Sequence, residues 1–207
     1  MTKRILFDLD NTLVLWKDKY LCALEETMKK YNINYSAQAI NECINDYDND
    51  MDHYSKEEMV DYINEHLGIN ITMDFMNEFL YLIGFCADKS DEAIEVMEYL
   101  SAKYDLVVLT NWFTDAQSER LKSAGLYKYL SNVYGGEKYM KPNKNAFLNA
   151  CGPYKPEECL MIGDNIEKDI LPAKDAGLDV IFFNRVRKDN PNKFKKIKSL
   201  SELKSML

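Results

Sequence analysis

The chain of 207 residues predicts an α/β protein: a doubly wound parallel sheet carrying an all-helical second unit. Three observations predict it. From Asp91 onward, short apolar runs alternate with helical patterns, which builds a parallel sheet with helices on both faces. Between Val14 and Asp88 no convincing strand occurs. The apolar runs end in carboxylates or a hydroxyl, and right-handed crossovers bring strand carboxyl ends to one edge, where such sheets form their ligand crevice.

The first run, Ile5-Leu6-Phe7, reads as a buried strand and leads into Asp8-Leu9-Asp10-Asn11-Thr12. Side chains at i and i+2 share a strand face, so Asp8 and Asp10 can converge on one group if strand geometry persists. Two adjacent anions are costly unless a cation, a proton or a substrate requires them. A turn is the other reading, since Asp and Asn commonly turn a chain after a strand.

Trp16, Tyr20, Leu21, Leu24 and Met28 follow at helical spacing, predicting a helix from Trp16 to about Lys30. A second helix begins after Ser36. Ser55 with Glu58 forms a capping box that opens a third, ended by Gly68. Met73 to Phe85 is a fourth. After a helix over Ala93 to Lys103 comes the strand Leu106 to Thr110, then a helix from Phe113 to Ala124 closed by Gly125. Asn132-Val133-Tyr134 is a short strand, and Asn143 to Cys151 is helical. Leu160 to Asp164 is a strand, Ile166 to Ala176 a helix closed by Gly177, and Val180 to Phe183 the last strand. The basic stretch Arg185 to Lys198 reads as a solvated surface segment. The division is a core of residues 1–14 and 89–207 and a helical insert of 15–88, placed to close over the strand ends.

Hydrophobic residues are 46% of the chain and the formal net charge is −8. That balance argues against a nucleic-acid polymer or an anionic membrane as partner. It leaves a small phosphorylated substrate open, because a local cation can reverse the field in a site. Cys22, Cys43, Cys86, Cys151 and Cys159 form no CxxC and read as reduced thiols of a cytoplasmic protein. His53 and His66 lie far from any cysteine pair, which argues against zinc. No apolar run approaches a membrane span, and Asp8 breaks the pattern of a signal peptide. A monomer or a small homo-oligomer is the expectation.

The strand ends carry Asp8 and Asp10, Thr110-Asn111, Lys141-Pro142 and Gly163-Asp164-Asn165-Ile166-Glu167-Lys168-Asp169. In that order they match the DxDx(T/V), Thr/Ser, Lys and GDxxxxD motifs, and the chain resembles the haloacid dehalogenase-like hydrolase superfamily. The likeness is to its phosphatases with a helical cap after the first strand. It implies a Rossmann-like core and an aspartyl-phosphate formed on Asp8, with Asp10 as general acid and then base, its proton held by neighbouring anions. It implies Mg²⁺ on Asp8, the backbone carbonyl of Asp10, and Asp164. Thr110 and Lys141 would hold phosphoryl oxygens, Asp169 would orient Lys141, and Asn165 would support them. Lys138 and Lys144 are nearby alternatives to Lys141. Position 11 is Asn where many relatives have Gly.

The resemblance implies a Mg²⁺-dependent phosphatase acting on a small phosphomonoester metabolite. A phosphomutase of the β-phosphoglucomutase type and a non-catalytic binding protein are the alternatives. Asp10 disfavours the dehalogenase branch, whose carbon–halogen displacement needs no leaving-group acid. Asn111, Trp16, Trp112 and Arg120 are candidate substrate contacts, with packing as the other reading for both tryptophans.

Overall fold

The computed structural model describes residues 1–15, 19–185 and 194–207. Strand β1 (Arg4–Phe7) holds Ile5, Leu6 and Phe7 with no exposed surface, each such side chain contributing about 1.5–3 kcal/mol through burial. β2 (Asp105–Leu109), β3 (Asn132–Tyr134), β4 (Cys159–Gly163), β5 (Asp179–Phe183) and β6 (Lys196–Ile197) complete the sheet. All pairings are parallel, in the order β3-β2-β1-β4-β5-β6. β1 has β2 on one side and β4 on the other, so the order reverses direction there. Its carboxyl end is the crevice of an open parallel sheet.

Alternation along the strands feeds two cores. Ile5, Phe7, Leu106 and Val108 pack with Val96, Met97 and Leu100 of α5 (Asp91–Ser101). Leu6, Val107, Leu109 and Met161 pack against Phe147 on the other face. The remaining helices of this half are α6 (Thr114–Ser123), α7 (Lys144–Cys151), α8 (Leu171–Asp175) and α9 (Leu203–Met206).

Between β1 and β2 lie α1 (Lys19–Lys30), α2 (Ala37–Asp50), α3 (Lys56–Leu67) and α4 (Met73–Ile83). They share a third cluster of Leu24, Ile40, Tyr47, Met59, Ile63, Phe75 and Phe79, joined by Phe113 and Ala116 from the start of α6. Ser36, Ser55 and Thr72 each accept a backbone N–H at the head of their helix. Gly68 stops α3 at φ 64°, a left-handed conformation that glycine adopts without steric cost. Of the expected capping box, the Ser55 half is present. The Glu58 carboxylate lies 3.3 Å from His53 Nε2.

Two other expectations change. Lys196 and Ile197 leave the predicted surface segment to form β6, with Ile197 fully buried against β5. The helix predicted over Ile166 to Ala176 is two pieces, a wide π turn (Ile166–Ile170) followed by α8. Trp16, the predicted helix start and a candidate contact, lies outside the described residues. Among the described residues, no helix is long and apolar enough to cross a membrane.

Candidate active site

β1 ends at Phe7, and the next residues satisfy both readings of the segment. Asn11 N–H donates to Val14 carbonyl (2.6 Å) and Val14 N–H to Leu9 carbonyl (3.0 Å), so the chain turns. Asn11 sits at φ 60°, where glycine or asparagine is favoured, which explains asparagine in the place of glycine. The turn also leaves Asp8 and Asp10 on one cavity of about 350 Å³. Thr110, Asn111, Lys141, Asp164, Asn165 and Asp169, all named from sequence, line the same cavity with Asn11 and Lys168. A larger groove of about 770 Å³ runs along α1 and α2 past Met28, Asn32 and Tyr35, remote from the strand ends.

Lys141 is the hub. Only 3% exposed, its ammonium donates to Asp8 Oδ1 (2.7 Å) and Asp169 Oδ1 (2.6 Å). Lys138 and Lys144 are exposed instead. Burial opposes the Lys141 charge, but Asp169 and Asp8 outweigh it and hold the pKa above the ordinary lysine range. Burial lifts the Asp8 carboxyl to about 7, opposed by Lys141 and reinforced by Asp169. Thr12, fully buried, donates its hydroxyl to Asp8 Oδ2 (3.0 Å).

The π turn sets Asp169. Asn165 Oδ1 accepts from the N–H groups of Glu167 and Lys168, capping the turn. The Asn165 N–H donates to Asp169 Oδ2 at 3.1 Å. Gly163 makes room, because a Cβ there would lie 2.6 Å from the Asp169 carboxyl carbon. One oxygen each from Asp8, Asp164 and Asp169 falls within 4.8 Å of the others, a cluster able to hold a cation. Oxygen donors suit Mg²⁺. Asp169 joins the cluster in addition to Asp8 and Asp164, while the Asp10 carboxylate is absent from it.

Asp10 departs furthest from expectation. Its hydrogen-bond partners are a guanidinium and an amide, and the anion near it is Asp8, whose carboxyl pKa it raises through space. Arg120 Nη2 donates to Asp10 Oδ1 (2.6 Å) and Nη1 to Oδ2 (2.9 Å). Gln117 Nε2 lies 3.4 Å from Oδ2 and donates to Thr110 Oγ1 at 2.9 Å. Arg120 and Gln117, both fully buried, lie three apart on α6 and so share its inner face. Arg120 is therefore a partner of Asp10, not the substrate contact expected. On sequence alone a Gln-x-x-Arg pair in a polar helix reads as a solvated face.

Asn111 also differs from expectation. Its Nδ2 donates to the Lys141 carbonyl and its Oδ1 accepts from the Lys141 N–H, both at 2.8 Å. The amide thus clasps the backbone that carries the lysine, beside a cis Lys141–Pro142 peptide. A smaller cavity of about 140 Å³ adjoins, sharing Asn111 and lined by Ile44, Asn45, Asp48, Tyr54 and Trp112. Trp112 holds φ 135°, a strained value for a bulky residue. Its buried indole Nε1 has no hydrogen-bond partner among the described residues. Asp48 accepts from the Tyr54 hydroxyl and pairs with Lys168 at 3.5 Å, linking α2 to the π turn. Lys168, Gln117 and Asp48 were given no role from sequence. Nothing local marks them, since their roles depend on which elements meet.

Comparison with known proteins bears on this geometry. A family model described as haloacid dehalogenase-like hydrolase matches residues 5–183. Pyrimidine 5'-nucleotidase PynA of Streptococcus pneumoniae is 27% identical over 203 residues, covering 88% of this chain and 84% of that one. Pyrimidine 5'-nucleotidase YjjG of Escherichia coli is 26% identical, covering 98% and 96%. The putative HAD-hydrolase YfnB of Bacillus subtilis, solved bound to magnesium, superposes with TM-score 0.67 at 22% identity over 100% and 98% of the two chains. In sequence it aligns at 30% over 105 residues, 48% of this chain and 45% of that one. A 2-haloacid dehalogenase from Pseudomonas syringae shares the fold with TM-score 0.76 at 20% identity, over 99% and 97%. The reach of the family match, from β1 to the end of β5, spans every strand end that lines the cavity, and this chain belongs to the haloacid dehalogenase-like hydrolases.

Proposed function

We propose that this hydrolase is a Mg²⁺-dependent phosphatase that cleaves a small phosphomonoester through an aspartyl-phosphate on Asp8. The observation that carries the reading is the buried Lys141 held between Asp8 and Asp169 at the mouth of the sheet. A phosphate dianion beside Asp8 and Asp164 needs fixed positive charge, since unit charges ~4 Å apart repel by about 4 kcal/mol at an effective dielectric near 20. Lys141 supplies one charge, and Thr110 lines the cavity with it. Mg²⁺, when bound by Asp8, Asp164 and the Asp10 carbonyl, supplies the rest and keeps Asp8 ionised.

The chain's own groups then have distinct tasks. An Asp8 oxygen bonds to phosphorus while the bond from phosphorus to the leaving oxygen breaks, and Asp10 gives that oxygen a proton. Water next adds to phosphorus, passes its proton to Asp10, and the bond from Asp8 to phosphorus breaks. Asp169 and the Asn111 clasp keep Lys141 on the phosphoryl oxygens throughout. Residues 15–88 act as the cap, and the protein works in the cytoplasm on a soluble metabolite.

The adjoining cavity supports a reading of the leaving group. Its 140 Å³ compares with the ~150 Å³ void that accommodates benzene, so it suits one six-membered ring. Asp48 disfavours an anionic leaving group there, and the Trp112 side chain lines the same cavity. With two pyrimidine 5'-nucleotidases among the relatives, a pyrimidine nucleoside 5'-monophosphate heads the substrate panel. The test is phosphate release from pyrimidine and purine nucleotides, sugar phosphates and phosphoglycolate, with Mg²⁺ and with chelator. Release that survives chelation, or full activity of pure Asp8→Asn protein, refutes the mechanism. Conversion of glucose-1-phosphate to glucose-6-phosphate without free phosphate marks the mutase instead.

A further inference from the structure

We propose that Arg120, carried with Gln117 on α6, is a positioning residue that holds the Asp10 carboxylate and ties it to Thr110. The inference rests on the phosphatase reading, in which Asp10 moves a proton to and from the reacting oxygens. Four observations carry it. Among the described residues Arg120 is the largest fully buried side chain, and burying a charge is expensive unless its partner is excellent. Its partner is excellent: a two-pronged contact at 2.6 and 2.9 Å that takes both Asp10 oxygens. Such a fork sets the plane of a carboxylate as well as its place. Nε of Arg120 makes no hydrogen bond among the described residues, and Tyr20 on α1 interacts electrostatically with the guanidinium from the side of the insert.

The fourth observation is what surrounds the fork. Gln117 accepts from Arg120 Nη1 at 2.8 Å and donates to Thr110 Oγ1, which joins the general acid and the phosphoryl-side hydroxyl in one buried chain. The ring of Tyr20 on α1 lies 5.2 Å from the guanidinium carbon. The fork is therefore packed between the core carboxylate and the first helix of the insert, and a movement of α1 reaches Asp10 through it. An apolar residue at 120 would satisfy packing between α6 and α1 at lower cost. The charge is explained by the carboxylate it holds, because misplacing a reacting group by about 1 Å can cost 10²-fold in rate.

The test is a double-mutant cycle on the full chain with Mg²⁺, using Asp10→Asn, Arg120→Met, Arg120→Lys and the double variants. Two substrates are used, an alkyl phosphomonoester found active in the panel and p-nitrophenyl phosphate, whose phenolate leaves without a proton. Folding is checked by circular dichroism and thermal unfolding, and Arg120→Lys, which keeps the cation, carries the cycle if Arg120→Met does not fold. Expected in the first-turnover release of the leaving group are losses of roughly 10²-fold on the alkyl ester for Asp10→Asn and Arg120→Met, with much smaller losses on the aryl ester, while hydrolysis of the aspartyl-phosphate, common to both esters, slows alike. Adding Arg120→Met to Asp10→Asn costs less than about threefold more, because the two act as a unit. Arg120→Lys recovers part of the alkyl rate. Equal first-turnover losses on both esters, or losses that multiply in the double variant, overturn the positioning role and leave the phosphatase reading standing. A wild-type protein that releases no phosphate from any ester overturns both.

Discussion

Replacing Lys141 by methionine tests the centre of the proposed site. The ammonium sits 2.7 Å from Asp8 and 2.6 Å from Asp169, so each pair is worth about 6 kcal/mol of Coulomb attraction at an effective dielectric near 20. Most of that returns on substitution, because no ammonium is then desolvated and the two acids can share a proton. The net cost falls to about 3–5 kcal/mol, the range for removing one partner of a buried pair. For a chain of this size that is a fall in Tm of roughly 6–20 °C. Activity falls further, because a fixed charge on the transferring phosphoryl group disappears, and kcat drops by about 10²–10³-fold or more. The assays are phosphate release at saturating Mg²⁺ and a thermal melt. Lys138→Met and Lys144→Met, both at exposed positions, serve as controls and change neither readout. A Lys141→Met protein with kcat within about threefold of wild type refutes the assignment of Lys141 to the phosphoryl group.

Gly163→Ala drives a Cβ to 2.6 Å from the Asp169 carboxyl carbon; it costs about 1–3 kcal/mol by overpacking and lowers kcat by loosening Lys141, read by melting and phosphate release. Mg²⁺ raises Tm more at pH 8 than at pH 5.5. The Asp8 carboxyl stands at about 7 against an ordinary 3.8, so its contribution to stability is present below pH 3.8 and lost as pH rises through 7, where a bound cation replaces the proton. An Mg²⁺ increment that is flat across this window contradicts the assignment of Asp8 as a ligand. Trp112→Phe trims the indole that lines the smaller cavity, raising KM for the preferred ester several-fold, about 1 kcal/mol of lost apolar contact, while kcat on p-nitrophenyl phosphate holds. Unchanged KM places the leaving group elsewhere.

Much of the fold was legible because buried parallel strands are continuous apolar runs and cannot be confused with the amphipathic helices between them. β6 was not, since two residues inside a charged stretch carry no period. The site was legible where chemistry sits at strand ends, as with Asp8, Asp164 and Lys141. It was illegible where a side chain acts through another. Asn111 looked like a substrate contact, yet its amide holds Lys141. Arg120 looked like a substrate contact, yet α1 and α6 bury it against Asp10. The π turn was hidden as well, because Ile166 to Ala176 has one helical pattern whether its first turn is tight or wide.

That wide turn makes the length of the Asp164 to Leu171 stretch a constraint in its own right. Each residue of a regular helix turns the chain by about 100°. Deleting one here restores an ordinary helix and swings all that follows by that angle, carrying Ile170 out of its fully buried position and Asp169 off the lysine. Substitution at Glu167 spares the geometry, as that side chain is exposed. Over this segment the number of residues carries more information than their identities, so a relative with a gap here should be treated as having lost the lysine's anchor even where both aspartates survive.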